Sequence, residues 1–220
     1  FYYNSIYLNA TSIGADFGSS IMTATSGSGF VQLDLRNNIF VNTSTPTGTG
    51  LNTVYRGLSL TPTLYKSTTN NNLLYAGTPD AQRLIYYSSV SVFDQTLGAF
   101  QARVYPRDNR SVTELPSFIS TDGLNPDYLH INTAISTQIE SGGVQIAGIT
   151  TDFDEDIRAG NMGYTGTGLL PDIGADEGEL ILNDVLGPEI NYTPFTTTAS
   201  LANRNLGSVT ITDVSGVRIS

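Results

Sequence analysis

The sequence predicts an all-β solenoid: short strands stacked rung on rung, one short helix beside them and an acidic loop closing the end of the pile. Three observations carry that prediction. The chain holds 12 Tyr and 9 Phe among 220 residues, with abundant Thr, Val and Ile, and such side chains fit a pleated surface better than a helix. Its 22 Gly and frequent Asn supply many tight turns. Finally, one block recurs. Asn4-Ser5-Ile6-Tyr7-Leu8-Asn9, Asn37-Asn38-Ile39-Phe40-Val41-Asn42 and Asn71-Asn72-Leu73-Leu74-Tyr75-Ala76 each set polar residues before a short apolar run. Ile6 to Ile39 is 33 positions and Ile39 to Leu73 is 34. Asn tolerates the left-handed backbone of a sharp corner, and stacked Asn side chains can bond to their copies one rung away.

Between these blocks the elements follow in order. Val31 to Arg36 alternates, with Val31, Leu33 and Leu35 on one face. Leu58-Ser59-Leu60 and Leu84-Ile85-Tyr86-Tyr87 are further strand candidates. Thr11 to Gly29 and Thr43 to Gly50 are rich in Ser, Thr and Gly and read as loops. Asp94 to Arg103 is the one helix candidate, capped by Asp94 or Thr96 and facing inward through Leu97, Phe100 and Val104. Pro116 marks an edge or corner, and Tyr128-Leu129-His130-Ile131 reads as a short strand with His130 in its wall. Residues 1–182 make up the solenoid. Residues 183–220 read as a linker with breaks at Gly187-Pro188 and Thr193-Pro194, then Val209-Thr210-Ile211 and Val217-Arg218-Ile219 as the first strands of a following module. Phe1 and Ser220 read as cuts through a longer chain.

Composition excludes some partners. Twenty acids against ten bases give a net charge of −10, which disfavours nucleic acid as a partner because a phosphate backbone needs a basic face. The absence of Cys removes disulfides and thiolate metal sites. No apolar run approaches the roughly 18 residues of a membrane helix.

The concentrated chemistry lies in Thr151 to Glu177. Asp152, Asp154 and Asp156 alternate, which puts them on one face if the segment is extended. Clustered carboxylates need a cation. Arg158 can supply it through a bidentate pair, giving a structural loop, or Ca²⁺ can, taking about six to eight oxygen ligands. Asp172, Asp176 and Glu177 can join either arrangement. Asp16, Asp34, Asp80, Asp94 and Asp108 are scattered and form no persuasive glycosidase pair. The tyrosines Tyr2, Tyr3, Tyr7, Tyr65, Tyr75, Tyr86 and Tyr87 read as core or flank stacking, with a sugar-binding stripe as the other reading.

Four motifs between Asn71 and Ile131 resemble the C-terminal end of secreted bacterial right-handed parallel β-helix proteins, the pectin-lyase-like surface proteins with variable C-terminal anchors. They are Asn71-Asn72-Leu73-Leu74-Tyr75, Leu97-Gly98-Ala99-Phe100-Gln101-Ala102, Ser111 with Pro116-Ser117-Phe118, and Tyr128-Leu129-His130-Ile131. The most specific likeness is the pair Asp152-Phe153-Asp154-Glu155-Asp156-Ile157-Arg158 and Asp172-Ile173-Gly174-Ala175-Asp176-Glu177. In that family the position of Glu155 is usually Gly and that of Ile157 usually Pro. The resemblance implies a non-catalytic, adhesive portion of an exported bacterial cell-surface protein that contacts glycans or other surface ligands, with an immunoglobulin-like module after Pro188. The alternative is part of a polysaccharide lyase or glycoside hydrolase whose groove lies in coils outside this chain.

Overall fold

Asparagine at the head of each repeat decides where the strands lie. In the computed structural model, which describes residues 1–24, 32–183, 189–192 and 209–212, Asn37 and Asn71 both turn through the left-handed region at φ +58°. Tyr3 holds the matching position in the first repeat at φ +54°. The next residue of each repeat forms a column. Asn4 donates from its backbone and its side chain to Asn38 Oδ1, at 3.1 and 2.8 Å. Asn38 does the same to Asn72 Oδ1, at 3.0 and 2.9 Å, and the Asn72 backbone N–H donates to Ser111 Oγ at 3.0 Å. Asn38 and Asn72 are fully buried, so each bond replaces water that cannot reach them.

The elements of the first compact unit, Phe1–Asn183, are, in chain order, β1 (Ser5–Leu8), β2 (Ser19–Thr23), β3 (Ile39–Asn42), β4 (Asn52–Arg56), β5 (Leu73–Tyr75), β6 (Arg83–Ser89), β7 (Val92–Asp94), α1 (Leu97–Val104), β8 (Ser136–Thr137) and β9 (Ile181–Leu182). The described chain is mostly sheet with a single short helix, hence all-β. β1, β3 and β5 pair in parallel, and Val112 extends that ladder beyond Leu73. β2, β4 and β6 pair in parallel, with β7 antiparallel at the edge. Isolated parallel bridges Tyr2–Arg36–Asn70 and Leu33–Tyr65 add a third line of contact.

Between β3 and β5 the register is that of the repeat alignment, with Ile39 opposite Leu73, but β1 is shifted from it by one residue, and one residue exchanges the faces of a strand. Ser5 pairs with Ile39 and Ile39 with Leu73, while Ile6 pairs with Phe40 and Phe40 with Leu74. The column through Asn4, Asn38 and Asn72 sets this register, not the first Asn of each block. Phe40 and Leu74 therefore enter the main core with Leu35, Val54, Tyr55, Tyr65 and Tyr86. Ile39, Val41 and Leu73 face the other way and are still buried, at 1%, 0% and 0% exposure.

That outer face is covered by the segment after residue 111. Gly174 presses on Ile39, since a Cβ there would fall 2.5 Å from Ile39 Cδ1 and 2.8 Å from Ser5 Oγ. Phe118 meets Tyr7 edge to face at 5.7 Å. Gly174 N–H donates to Asn37 O, Asn71 Nδ2 to Gly142 O and Ala175 N–H to Ser5 Oγ. The expected acidic plug at the end of the pile is thus a flank that crosses three successive strands. The helix covers the main core instead: Leu97, Phe100 and Val104 are its buried residues and belong to that core. Thr96 caps it by accepting from Ala99 N–H at 3.2 Å. Asp94, the other candidate cap, pairs with Arg103.

Other expectations need correction. β2 lies inside the stretch read as a loop from Thr11 to Gly29; its SSIMT sequence hides a strand behind polar residues, and part of the stretch lies outside the described residues. Leu58 to Leu60 is not a strand; the strand is β4 just before it. Leu33 and Leu35 do face or line the core, while Val31 lies outside the described residues. Tyr128 to Ile131 makes only isolated bridges, because Leu129 turns through φ +60°.

Asp184–Ser220 is a separate compact unit. Within it β10 (Glu189–Tyr192) pairs antiparallel with β11 (Val209–Thr212), matching Ile190 to Ile211. The breaks at Gly187-Pro188 and Thr193-Pro194 and the run Val217 to Ile219 lie outside the described residues. No helix among the described residues is long and apolar enough to cross a membrane.

Candidate functional site

The acidic segment is a turn rather than an extended strand. Thr151 bridges Ile157 antiparallel, so Asp152, Asp154 and Asp156 do not share a face. Asp152 organises the turn. Its Oδ1 accepts the N–H groups of Asp154 and Asp156, both at 2.8 Å, and its Oδ2 accepts Glu177 N–H at 2.9 Å. A short carboxylate closing its own loop in this way is what Asp does in tight turns. The three carboxylates read as a calcium set are therefore not assembled as one: Asp152 is engaged with backbone, Asp154 reaches His130, and Asp156 lies exposed beside a separate cavity.

Glu155 sits at φ +73°, a backbone that costs an L-residue about 1–2 kcal/mol. Glycine adopts it freely, at a cost in unfolded-state entropy of about 0.5–1 kcal/mol. Glu155→Gly is expected to leave stability unchanged or raise it by up to about 1 kcal/mol, read as the midpoint of urea unfolding. A loss greater than about 0.5 kcal/mol would mean that the Glu155 side chain holds the turn in a way its exposure does not suggest.

Behind the turn is a buried ionic core. Arg158, 1% exposed, donates to Gly174 O and Ala175 O at 3.0 and 2.9 Å and to Thr151 O at 3.3 Å. Its guanidinium pairs with Glu177 at 3.2 Å and stacks 3.9 Å above the Tyr3 ring. Glu177 also accepts Ala159 N–H and Asp172 N–H, both at 2.9 Å. Asp172 accepts Ser141 N–H and Gly178 N–H, and Glu140 accepts Ser141 Oγ–H and Leu180 N–H. Burial drives the Asp172 carboxyl well above the ordinary range, and the charges of Glu140 and Glu177 drive it further. Burial also raises Glu140, and it raises Glu177 against the pull of its backbone donors and Arg158.

At the outer edge His130 stands between two carboxylates. Its Nε2 is 3.3 Å from Asp154 Oδ2 and its Nδ1 is 3.9 Å from Asp176 Oδ1. Asp176 Oδ2 accepts Ile131 N–H at 3.2 Å. Among the described residues, His130, Asp154 and Asp176 form a group of possible metal ligands whose donor atoms lie within 4.8 Å of one another. A cavity of about 190 Å³ opens beside them, walled by Tyr128 and Phe153, which are 40% and 81% exposed.

Comparison with protein-family models, curated proteins and solved structures gave no match.

The paired motifs Asp152 to Arg158 and Asp172 to Glu177 do meet, through Arg158, Glu177 and Asp152. Asp176 joins His130 rather than Arg158. Sequence reasoning placed His130 in a strand wall and passed over Glu140. The signal for His130 was its being the chain's lone histidine near an acidic segment, but 24 residues separate it from Asp154. No sequence signal marked Glu140. The tyrosines act as stacking residues: Tyr65 and Tyr86 are core, Tyr3 lies under Arg158, and Tyr2 and Tyr87 carry Arg36 and Arg56 at 4.6 and 5.3 Å.

Proposed function

We propose that the first unit is the C-terminal part of a right-handed parallel β-helix belonging to an exported bacterial surface protein, and that it serves as a non-catalytic, adhesive portion contacting glycans. The observation that carries the fold is the repeat: β1, β3 and β5 stack in parallel at a spacing of 34 residues, with an asparagine column in step. The second unit is the opening of an immunoglobulin-like module, a reading supported by its antiparallel pair.

The acids of the stacked strands support a non-catalytic role. Asp34 pairs with Arg36 and Lys66, Asp80 with Arg83 and Asp94 with Arg103. Asp108 is fully buried and accepts Tyr65 O–H and Ser111 O–H, both at 2.6 Å. Each has structural work, whereas a glycosidase pair must face an open groove across a sugar. Glycan contact is supported by the cavity between Tyr128 and Phe153, since exposed rings stack on sugar faces while nearby carboxylates accept hydroxyl protons.

The test is co-sedimentation of the full chain with a panel of insoluble acidic and neutral polysaccharides, together with an assay for new reducing or unsaturated ends. Retention on at least one polysaccharide, without chain cleavage, is expected. Phe153→Ala, at a side chain that is 81% exposed, is expected to weaken retention by about tenfold. Retention on none of them would overturn glycan contact, and release of new chain ends would favour the lyase or hydrolase reading.

A further inference from the structure

We propose that His130, Asp154 and Asp176 form a binding site for a divalent ion of zinc-like chemistry. The ligands come from three separate stretches: the bridged segment around Ile131, the acidic turn, and the segment that presses on β1 and β3. A tetrahedral zinc with nitrogen and oxygen ligands at about 2.0–2.1 Å holds neighbouring donor atoms about 3.3 Å apart. His130 Nε2 and Asp154 Oδ2 already stand 3.3 Å apart. All three donor atoms lie inside 4.8 Å. Because the contact to Asp176 is made by Nδ1 and that to Asp154 by Nε2, closing the set on a single nitrogen takes a rotation of the imidazole and of the exposed Asp154 carboxylate.

The third ligand is held from behind. Asp176 Oδ2 accepts Ile131 N–H, which fixes the carboxylate and directs Oδ1 toward the imidazole. Backbone bonds of this kind commonly orient metal ligands. The fourth coordination position faces the cavity of about 190 Å³, which has room for water, so the site is of the three-ligand, open type.

The donor set selects the ion. Calcium wants about six to eight hard oxygens. Asp152, the nearest further carboxylate of the turn, is occupied by three backbone N–H groups. An imidazole with two carboxylates is too small a set for calcium and suits zinc or its neighbours in the first transition row. Local charge also calls for a cation, because Arg158 is engaged with Glu177 and the turn carries Asp152, Asp154, Glu155 and Asp156. A bound ion would clip the acidic turn to the rest of the flank.

The experiment uses the full chain freed of metal with chelator and titrated with Co²⁺, then Zn²⁺, then separately Ca²⁺. Co²⁺ is expected to give the visible d–d absorption of a tetrahedral site, and Zn²⁺ to displace it and raise Tm by mass action. Asp154→Asn, an isosteric change at an exposed turn, and His130→Ala are each expected to lower Zn²⁺ affinity at least about tenfold. Asp156→Asn is expected to leave it unchanged. Absence of the Co²⁺ spectrum would overturn the proposal, as would a Zn²⁺ effect that survives both ligand variants. So would Ca²⁺ stabilisation equal to that of Zn²⁺ and lost in Asp156→Asn, which would return the ion to the acidic turn. None of these readouts involves a polysaccharide, so the outcome is independent of glycan contact.

Discussion

Arg158→Met is expected to cost about 3–5 kcal/mol of stability at neutral pH. A buried ion pair is weak evidence of net stabilisation, since desolvating both charges is expensive. Removing one partner is a different matter, because it strands the other. Here the stranded group is Glu177, 6% exposed, already raised by burial while Arg158 pulls it down. Three carbonyls of Thr151, Gly174 and Ala175 lose their donors as well. The loss is expected to depend on pH. With Arg158 gone, the Glu177 carboxyl titrates higher in the folded chain than in the unfolded one. The folded state then binds more protons across that window, so stability rises as pH falls through it. The deficit against wild type should therefore be smaller at about pH 5 than at about pH 7.5. Pairing the change with Glu177→Gln is expected to recover much of the loss, because no charge is left alone. Urea unfolding of the four proteins of that cycle at both pH values reads this directly. A single-variant loss under about 1 kcal/mol, or one that does not change with pH, would show that water reaches Glu177 and that the flank is not sealed.

The flank explains what could and could not be read from sequence. The repeat was legible because corners need residues that accept left-handed backbone, and Asn37 and Asn71 announce them. The register of β3 and β5 was legible too, but that of β1 was not, because Tyr3 stands at the first corner where Asn would be expected, and so Asn4 aligned with Asn37 instead of Asn38. β2 was hidden because a strand partnered on one side by β4 can carry Ser and Thr, and SSIMT has little alternation to detect. The meeting of Asp152 to Arg158 with Asp172 to Glu177 was legible as one cluster of carboxylates that needs a cation. Its position along the outer face of β1 and β3 was not, because only tertiary contact tells an outward Ile39 from an inward one. The grouping of His130 with Asp154 and Asp176 depends on a chain reversal that no local pattern marks.

Phe100→Ala is expected to destabilise the first unit by about 3–5 kcal/mol. An eight-residue helix is not stable alone in water, and Thr96 supplies a cap worth only about 1 kcal/mol. α1 therefore exists because Leu97, Phe100 and Val104 are buried. Phe100 is the centre of that contact: fully buried, its ring lies 5.6, 6.3 and 5.9 Å from those of Tyr55, Tyr65 and Tyr86. Truncation leaves a cavity among three tyrosines, two of which other bonds hold in place. Tyr65 donates to Asp108 at 2.6 Å and Tyr86 to Leu58 O at 2.9 Å, so they cannot collapse into the space. Phe100→Leu, which keeps most of the volume, is expected to cost less than about 1.5 kcal/mol. Losing the helix would also uncover core beside the stacked strands, and exposed strand surfaces invite association between chains. The Ala variant should thus show a lower unfolding midpoint, less helical circular dichroism and a concentration-dependent rise in light scattering. Should Ala and Leu behave alike, the helix would be a surface ornament and the core would be closed by something other than Phe100.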